Sequence, residues 1–242
     1  MLEKSAFRAK LEETLHHHIS KKHPLFPILM NGEKPDIELL RKVAIEGYQI
    51  TKYFLDYIEH LFFYCPKDLP RHKRRLLFNL FEEETGRLSK SANHVELMER
   101  FLKALGVSDA ERDAATPLPT TSALIDYRLA AVKDPARYHI GAAAVMIASE
   151  GQNLESTAIE ARHSILGKVY GLAEKDLLFF SVHAKEDIAH VQQGLDMVAD
   201  LCVDQQMQEE ALFAVDHTSN LFYQMYEGMY QAFCINRPLV AC

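Results

Sequence analysis

The sequence has few cysteines, no long apolar run and no large block of positive charge. Its 242 residues include four cysteines, Cys65, Cys202, Cys234 and Cys242, which lie far apart and form no Cys-x-x-Cys pair. This spacing argues against a disulfide framework and is typical of reduced thiols. The longest apolar stretches, such as residues 141–149, fall well short of the ~20 residues that a membrane-spanning helix needs. We therefore expect neither a disulfide-stabilised nor a membrane protein.

The charge balance is acidic. The chain carries 27 Lys and Arg against 34 Asp and Glu, which gives a net charge of −7 and a pI near 5.9. The only basic run, residues 71–75, is short, so we expect no nucleic-acid partner. Residues 1–10 are charged and lack the apolar segment of a signal peptide, and we therefore expect a cytoplasmic protein.

Helical periodicity covers nearly the whole chain, and strand-like alternation is almost absent. The sequence predicts an all-α protein with a single domain over residues 1–242. Gly and Pro place the breaks between helices. Residues 107–121 resemble a linker, but neither flank has enough elements to close a core alone, so we interpret them as a surface crossover. The predicted helices span residues 4–22, 36–64, 71–85, 93–105, 122–133, 136–166, 174–201 and 204–235.

The most informative motif is His183-x-x-x-Asp187-x-x-His190. At about 100° per residue, the three side chains fall within an arc of about 60° on one helix face. Two imidazoles and a carboxylate are ligands that suit iron, manganese or zinc, and three protein ligands leave positions for water, oxygen or substrate. The motif predicts a metal site and raises the question of where further ligands lie.

Candidate partners for this motif lie on three other predicted helices. Glu150 is embedded in an Ala- and Met-rich helix, where an unpaired carboxylate is costly to bury; it is either a ligand or faces solvent from the end of the apolar run. Residues 79–86 end a helix with three acids, where the macrodipole disfavours negative charge, so either a cation or solvent offsets the repulsion. With Glu83 and His94, the set contains three carboxylates and three imidazoles on four helices, which suits a dinuclear centre.

Two Glu-x-x-His pairs offer a different arrangement. Ferritin-like bundles bind two metals with such pairs on two helices and one Glu from each of two others. Glu13 with His16, and Glu160 with His163, have this spacing but lie in polar surroundings. A solvated helix face is the more common explanation for both pairs.

Four segments together resemble the heme-oxygenase-like diiron oxidases, which include the CADD-like proteins within the wider TenA and PqqC grouping. The similarity covers almost the whole chain, and its specific part is the motif spacing. The segments are Asn79-Leu-Phe-Glu-Glu-Glu-Thr-Gly86, Asn93-His-Val-Glu-Leu97, Ser149-Glu-Gly-Gln152 and His183-x-x-x-Asp187-x-x-His190.

The resemblance implies a bundle of seven to eight helices that holds two iron ions, or iron plus manganese, and activates O2 to oxidise a small organic substrate. Among the three adjacent acids it selects Glu83, because that residue stands three positions before Gly86; Glu82 and Glu84 are then expected to point away and serve solubility. A homodimer is possible for this fold. The implied metal ligands are Glu83, His94, Glu150, His183, Asp187 and His190.

The chain also departs from this pattern. Phe26 stands where CADD carries the tyrosine that it consumes to make aminobenzoate, so the same self-sacrificial synthesis is not expected from this position. Some relatives add a further carboxylate, for which Glu59 is a candidate here. Two alternatives stay open: a metal-free TenA- or PqqC-like protein of cofactor metabolism, for which Cys65 is poorly placed as a nucleophile, and a non-catalytic interaction protein. The phenylalanines that either line a dry pocket or simply form core are Phe62, Phe63, Phe81, Phe179 and Phe180.

Overall fold

The computed structural model describes residues 1–153 and 162–235, and this part of the chain is helical without strands. The fold is the predicted all-α bundle. No helix within these two ranges is long and apolar enough to cross a membrane. The α-helices are α1 Lys4–His16, α2 Leu25–Leu29, α3 Ile37–Thr51, α4 Phe54–Tyr64, α5 Pro70–Thr85, α6 His94–Ala104, α7 Asp109–Ala114, α8 Pro119–Val132, α9 Tyr138–Ala142, α10 Arg162–Tyr170, α11 Leu178–Leu201 and α12 Gln205–Tyr230.

Several predicted helices are shorter or divided in the structure. The helix expected over 36–64 is interrupted between Thr51 and Phe54. The Thr51 hydroxyl donates to the Gly47 carbonyl at 3.0 Å, a bond that competes with the backbone ladder and often bends helices. The region 107–121, expected to be a loop, contains the short helix α7, which the Ser108 side chain caps by accepting from the amide of Glu111.

The helix predicted over 136–166 changes type along its length. Helix α9 continues into a π-helix at Ala143–Ser149 and a 3₁₀ turn at Glu150–Asn153, and residues 154–161 lie outside the described part. The Ser149 hydroxyl donates to the Ala144 carbonyl at 2.9 Å. Short π-helical segments inside α-helices occur frequently at functional sites.

Two apolar cores meet along α11. Phe179 and Phe180 pack against the core that contains Phe101 and Phe222, whereas Val191 and Leu195 belong to the core built around Phe7 and Tyr57. The polar stretch 183–190 lies between them, so the helix carries its ligand candidates into the middle of the protein. The single domain over 1–242 stays a prediction.

The second half of α11 lies very close to the π-helix. A Cβ at Gly194 would stand 2.3 Å from the carbonyl oxygen of Met146, a separation that side chains do not tolerate. Gly194 therefore allows the backbones to approach, and this approach fixes Glu150 relative to the motif on α11.

Candidate metal centre

The first group of metal-ligand candidates joins three helices. Glu83 near the end of α5, His94 at the start of α6 and His183 on α11 place one donor atom each within 4.8 Å of one another. Nδ1 of His94 lies 2.8 Å from Oε2 of Glu83, and the rings of His94 and His183 are 4.7 Å apart. Glu83 and His94 are buried. This group has the composition of a three-ligand metal site.

The second group contains the other three predicted ligands. Glu150, Asp187 and His190 also bring their donor atoms within 4.8 Å of one another. Oε1 of Glu150 lies 3.3 Å from Nδ1 of His190 and accepts a hydrogen bond of 3.0 Å from the Asn79 amide. Glu150 and Asp187 are almost completely buried. The six sequence-predicted ligands thus form two trios, and each trio has both carboxylate and imidazole donors.

Charge interactions within and between the trios shift the histidine pKa values. Burial disfavours the imidazolium of His190, but the Glu150 carboxylate outweighs it and raises the pKa of His190 to about 9. The pKa of His94 is likewise raised, because Glu83 outweighs the effect of burial. The pKa of His183 is lowered by burial and by the neighbouring His94. The Glu83 carboxylate also favours a higher pKa of His190, and the Glu150 carboxylate favours a higher pKa of His183. Each of these pairs joins one trio to the other, so the two trios adjoin.

A tight turn between α5 and α6 brings Glu83 and His94 together. Gly86 ends α5 with a φ of +59°, and a Cβ there would lie 2.2 Å from the carbonyl oxygen of Ala92. The turn needs glycine both for its left-handed backbone and for this close approach. Asn93 then caps α6 by accepting from the amides of Val95 and Glu96.

Glu82 differs from its expected role. It is buried rather than solvated, because the chain after Gly86 folds back over it. Its carboxylate accepts from the amides of Leu88 at 2.6 Å and Ser89 at 3.2 Å, and from the Ser89 hydroxyl. Burial opposes the charge, but these hydrogen bonds lower the pKa of Glu82. The solvent-facing prediction holds only for Glu84, which is exposed.

A third group contains a residue that the sequence analysis missed. Glu186 lies with Glu82 and His94, and their donor atoms are within 4.8 Å of one another. Burial and the nearby Glu82 raise the pKa of Glu186. In the sequence, its position directly before the predicted ligand Asp187 could have indicated that Glu186 lies near the site. Glu59, by contrast, is exposed and is in none of the three groups found among the described residues.

The donor atoms fit a metal centre. Oε1 of Glu83 and Oε2 of Glu186 are buried, and neither makes a hydrogen bond within the described ranges. Buried carboxylate oxygens are normally paired, and a cation satisfies such atoms. Mixed carboxylate and imidazole donors suit iron or manganese, whereas the thiolates of a structural zinc site are absent from all three groups.

A cavity of about 240 Å³ opens beside the two trios. Glu83, Glu150 and His183 form part of its wall. Most of the wall is apolar, which keeps bulk water away from the candidate ligands. Its larger apolar residues are Leu25, Phe26, Leu29, Met30, Leu40, Val43, Ile50, Phe54, Met98, Phe101, Leu166, Phe179, Phe180, Phe222, Met225, Tyr226 and Met229.

The family model for iron-containing redox enzymes matches residues 41–223, which include all six candidate ligands. The chain belongs to this family. The 4-aminobenzoate synthase of Nitrosomonas europaea is 30% identical over 166 residues, 68% of this chain and 64% of that protein. The 4-aminobenzoate synthase of Chlamydia muridarum is 26% identical over 190 residues, 77% of this chain and 76% of that protein. The match to the Nitrosomonas relative therefore spans less than two thirds of its length.

Solved structures share the fold of this iron-containing redox enzyme family member. A TenA homologue from Pseudomonas syringae superposes with a TM-score of 0.75 at 19% identity, covering 95% of this chain and 96% of that one. A CADD-like protein of unknown function from Nostoc punctiforme gives a TM-score of 0.72 at 16% identity, covering 95% and 97%. The expected resemblance to the TenA and CADD-like fold is confirmed.

The described residues of the two Glu-x-x-His pairs belong to none of the three ligand groups. Glu13 is exposed, and Glu160 lies outside the described residues. Phe179 and Phe180 line the cavity as the pocket interpretation requires, but Phe63 is 74% exposed and Phe81 39% exposed. Phe62 packs against an apolar core.

Proposed function

We propose that this chain is a non-heme dinuclear oxidoreductase that uses O2 to oxidise a small organic substrate. The observation that carries the proposal is the division of six buried or half-buried side chains into two adjoining trios beside an apolar cavity. Membership of the iron-containing redox enzyme family supports iron as the metal. Two iron ions, or iron plus manganese, satisfy the donor set.

The residues around the centre have distinct tasks. Glu83, His94 and His183 would hold one metal, and Glu150, Asp187 and His190 the other. Asn79 fixes the orientation of Glu150 through its 3.0 Å hydrogen bond, as residues behind metal ligands commonly do. When bound in their reduced form, the two metals would supply two of the four electrons that reduction of O2 to water requires, and the oxidised substrate would supply the other two. The apolar cavity wall excludes water and holds the substrate next to Glu83, Glu150 and His183.

The direct test is the metal content of the purified protein, followed by O2 consumption of the anaerobically Fe(II)-loaded form. We expect two metals per chain and O2 uptake that Asp187→Ala abolishes. Glu59→Gln, at an exposed carboxylate, is the control and should behave as wild type. If the protein takes up no metal and consumes no O2, a metal-free or non-catalytic member of the fold replaces this proposal.

Synthesis of 4-aminobenzoate is a second candidate, favoured by the names of the Nitrosomonas and Chlamydia relatives. Phe26 lines the cavity but has no phenol to consume. The Tyr226 ring stands 4.9 Å from it and lines the same cavity. Mass spectrometry after aerobic incubation of Fe(II)-loaded protein tests this candidate: 4-aminobenzoate formed by wild type but not by Tyr226→Phe would support it. No product without added substrate would exclude synthesis from the protein's own residues.

The TenA-type alternative requires a reactive cysteine in the cavity. Cys65 is buried in the apolar core around Phe7 and does not line the cavity. Burial raises the pKa of its thiol, which makes the nucleophilic thiolate rarer. The geometry therefore favours metal-dependent oxidation over thiol-dependent hydrolysis.

A further inference from the structure

Arg128 is a buried cation that the metal centre does not use. It lies on α8, is 2% exposed and is among the largest fully buried side chains. A guanidinium stays protonated at any physiological pH, so its charge is buried with it. Buried charges are usually paired, because an isolated ion loses its hydration without compensation.

Within the described residues, the contacts of Arg128 leave its charge uncompensated. Its Nε donates to the Leu124 carbonyl of its own helix at 3.3 Å, and its Nη1 reaches the Ser149 hydroxyl only at 3.5 Å. Nη2 has no hydrogen-bond acceptor within the described residues. No carboxylate in that part of the chain forms an ion pair with this guanidinium.

Aromatic rings surround the guanidinium without neutralising it. Its central carbon lies 4.6 Å from the centroid of the Tyr57 ring and 5.4 Å from that of Phe222. Burial raises the pKa of Tyr57 to about 12, so its phenol is neutral and supplies no countercharge. Cation–π contacts hold the guanidinium in place but leave its Nη2 donor unsatisfied.

Arg128 lines the same cavity as the metal-ligand candidates. The wall contains Arg128 together with Glu83, Glu150 and His183, and the remainder is mostly aliphatic and aromatic. A molecule in the cavity can therefore touch the guanidinium and the metal side at once. Oε1 of Glu150 is already engaged by Asn79 and His190, which leaves Arg128 as the anion-binding group.

We propose that Arg128 binds the carboxylate of the substrate, so that this site oxidises an apolar monocarboxylate whose hydrocarbon part lies along the Leu, Met and Phe wall. This inference rests on the proposed function for the reaction, but the binding step does not depend on it. A single charge matches one guanidinium. A dianion such as a phosphate monoester would place excess negative charge near Glu83 and Glu150, which disfavours it. Carboxylates also fit the planar donors of arginine.

The test compares the binding of three matched compounds, octanoate, octan-1-ol and octylamine, together with 4-phenylbutyrate as a carboxylate of different shape. Calorimetric titration is performed on the metal-free and on the Mn(II)-loaded full chain. We expect the carboxylates to bind at least about tenfold more tightly than the alcohol and the amine, as charge-assisted hydrogen bonds allow.

Two variants assign the binding to Arg128. Arg128→Met should weaken carboxylate binding at least about tenfold while leaving octan-1-ol binding unchanged, and Arg128→Lys should retain part of the preference. The control is Arg100→Met, which removes an exposed arginine on α6. Circular dichroism and Mn(II) content show that each variant is folded and loaded.

The outcomes distinguish a failure of carboxylate binding at Arg128 from a failure of the proposed function. If neither carboxylate binds, or if wild type and Arg128→Met bind them equally, Arg128 is not the carboxylate site. If the chain takes up no Mn(II) but binds octanoate through Arg128, the dinuclear proposal fails and the anion site stands. If Mn(II) binds and the carboxylate preference is absent, the metal centre stands and the substrate class proposed here is wrong.

Discussion

Beside one part of the cavity wall, buried carboxylates gather around three histidines, of which His183 lines the cavity; on another part, a single buried guanidinium stands among aromatic rings. The first region has an excess of negative charge and suits cations. The second has one uncompensated positive charge and suits an anion. Charges of opposite sign lie in one cavity without forming an ion pair with each other, which indicates that each charge serves a ligand rather than the fold.

The two regions are also supported differently. Hydrogen-bond donors from α5 and from the turn after it hold the metal-side carboxylates, for example Asn79 beside Glu150 and the backbone of Ser89 beside Glu82. Arg128 depends on a carbonyl of its own helix and on ring contacts. The metal side is therefore fixed in geometry before a ligand arrives, whereas the guanidinium keeps a donor free for one.

The largest effect is expected from neutralising a metal-side carboxylate. Glu83→Gln should weaken the binding of one metal at least about a hundredfold, because a charged ligand is lost. Glu84→Gln is a matched control, since Glu84 is the exposed neighbour with the same charge. Calorimetric titration with Mn(II) measures both. Equal affinities in the two variants would remove Glu83 from the ligand set.

Metal binding should stabilise the fold, because the unfolded chain cannot assemble the trios. For one site at a free Mn(II) concentration of a hundred times Kd, the free energy of unfolding should rise by about 2.7 kcal/mol. Thermal unfolding followed by circular dichroism, with and without a chelator, measures the increase. If the stability does not respond to Mn(II), Fe(II) or chelator, the two trios do not bind a cation.

Glu186→Gln should have a smaller effect than Glu83→Gln. Glu186 belongs to the group that shares His94, and burial together with Glu82 raises its pKa. We expect Mn(II) affinity to fall by about tenfold or less, as for a residue that supports a ligand. The same titration decides: a loss as large as that of Glu83→Gln would make Glu186 a direct ligand.

The smallest effect concerns stability at the guanidinium. Without any ligand, Arg128→Met should raise the free energy of unfolding by about 1 kcal/mol, because loss of an uncompensated buried charge outweighs the lost ring contacts. Denaturant unfolding measures this change. The exposed Arg100→Met should stay within about 0.5 kcal/mol of wild type. A destabilised Arg128→Met would show that the ring contacts of Arg128 stabilise the fold more than its uncompensated charge destabilises it.

Part of the candidate metal centre can be read from the sequence, because three of its six candidate ligands repeat with helix geometry. His183, Asp187 and His190 share one face of a single helix, so their spacing alone brings them together. Glu150 and His94 are candidates on local grounds, and the family resemblance selects them, since nothing local shows which helices become neighbours. The structure unites all six in two trios.

The sequence does not reveal the environments that depend on tertiary packing. Glu82 looks solvated beside Glu83, and only the chain folding back after Gly86 buries it. Arg128 sits in an ordinary helical pattern, where a lone arginine usually faces water. Its burial arises from the packing of α8 against α4, α9 and α12. Likewise, the break after Thr51 coincides with a side-chain hydrogen bond that no periodicity shows.

The π-helix at Ala143–Ser149 holds more residues per turn than an α-helix. The π-helix therefore sets the direction in which the following side chains point. Each residue removed from a helix rotates the side chains after it by about 100° about the helix axis. Deleting one alanine from this run would turn Glu150 away from Asp187 and His190 while keeping every side chain of the centre in the sequence. A chain of this kind can thus lose or gain the arrangement of its candidate metal centre through a one-codon deletion or insertion, with all the candidate ligand residues intact.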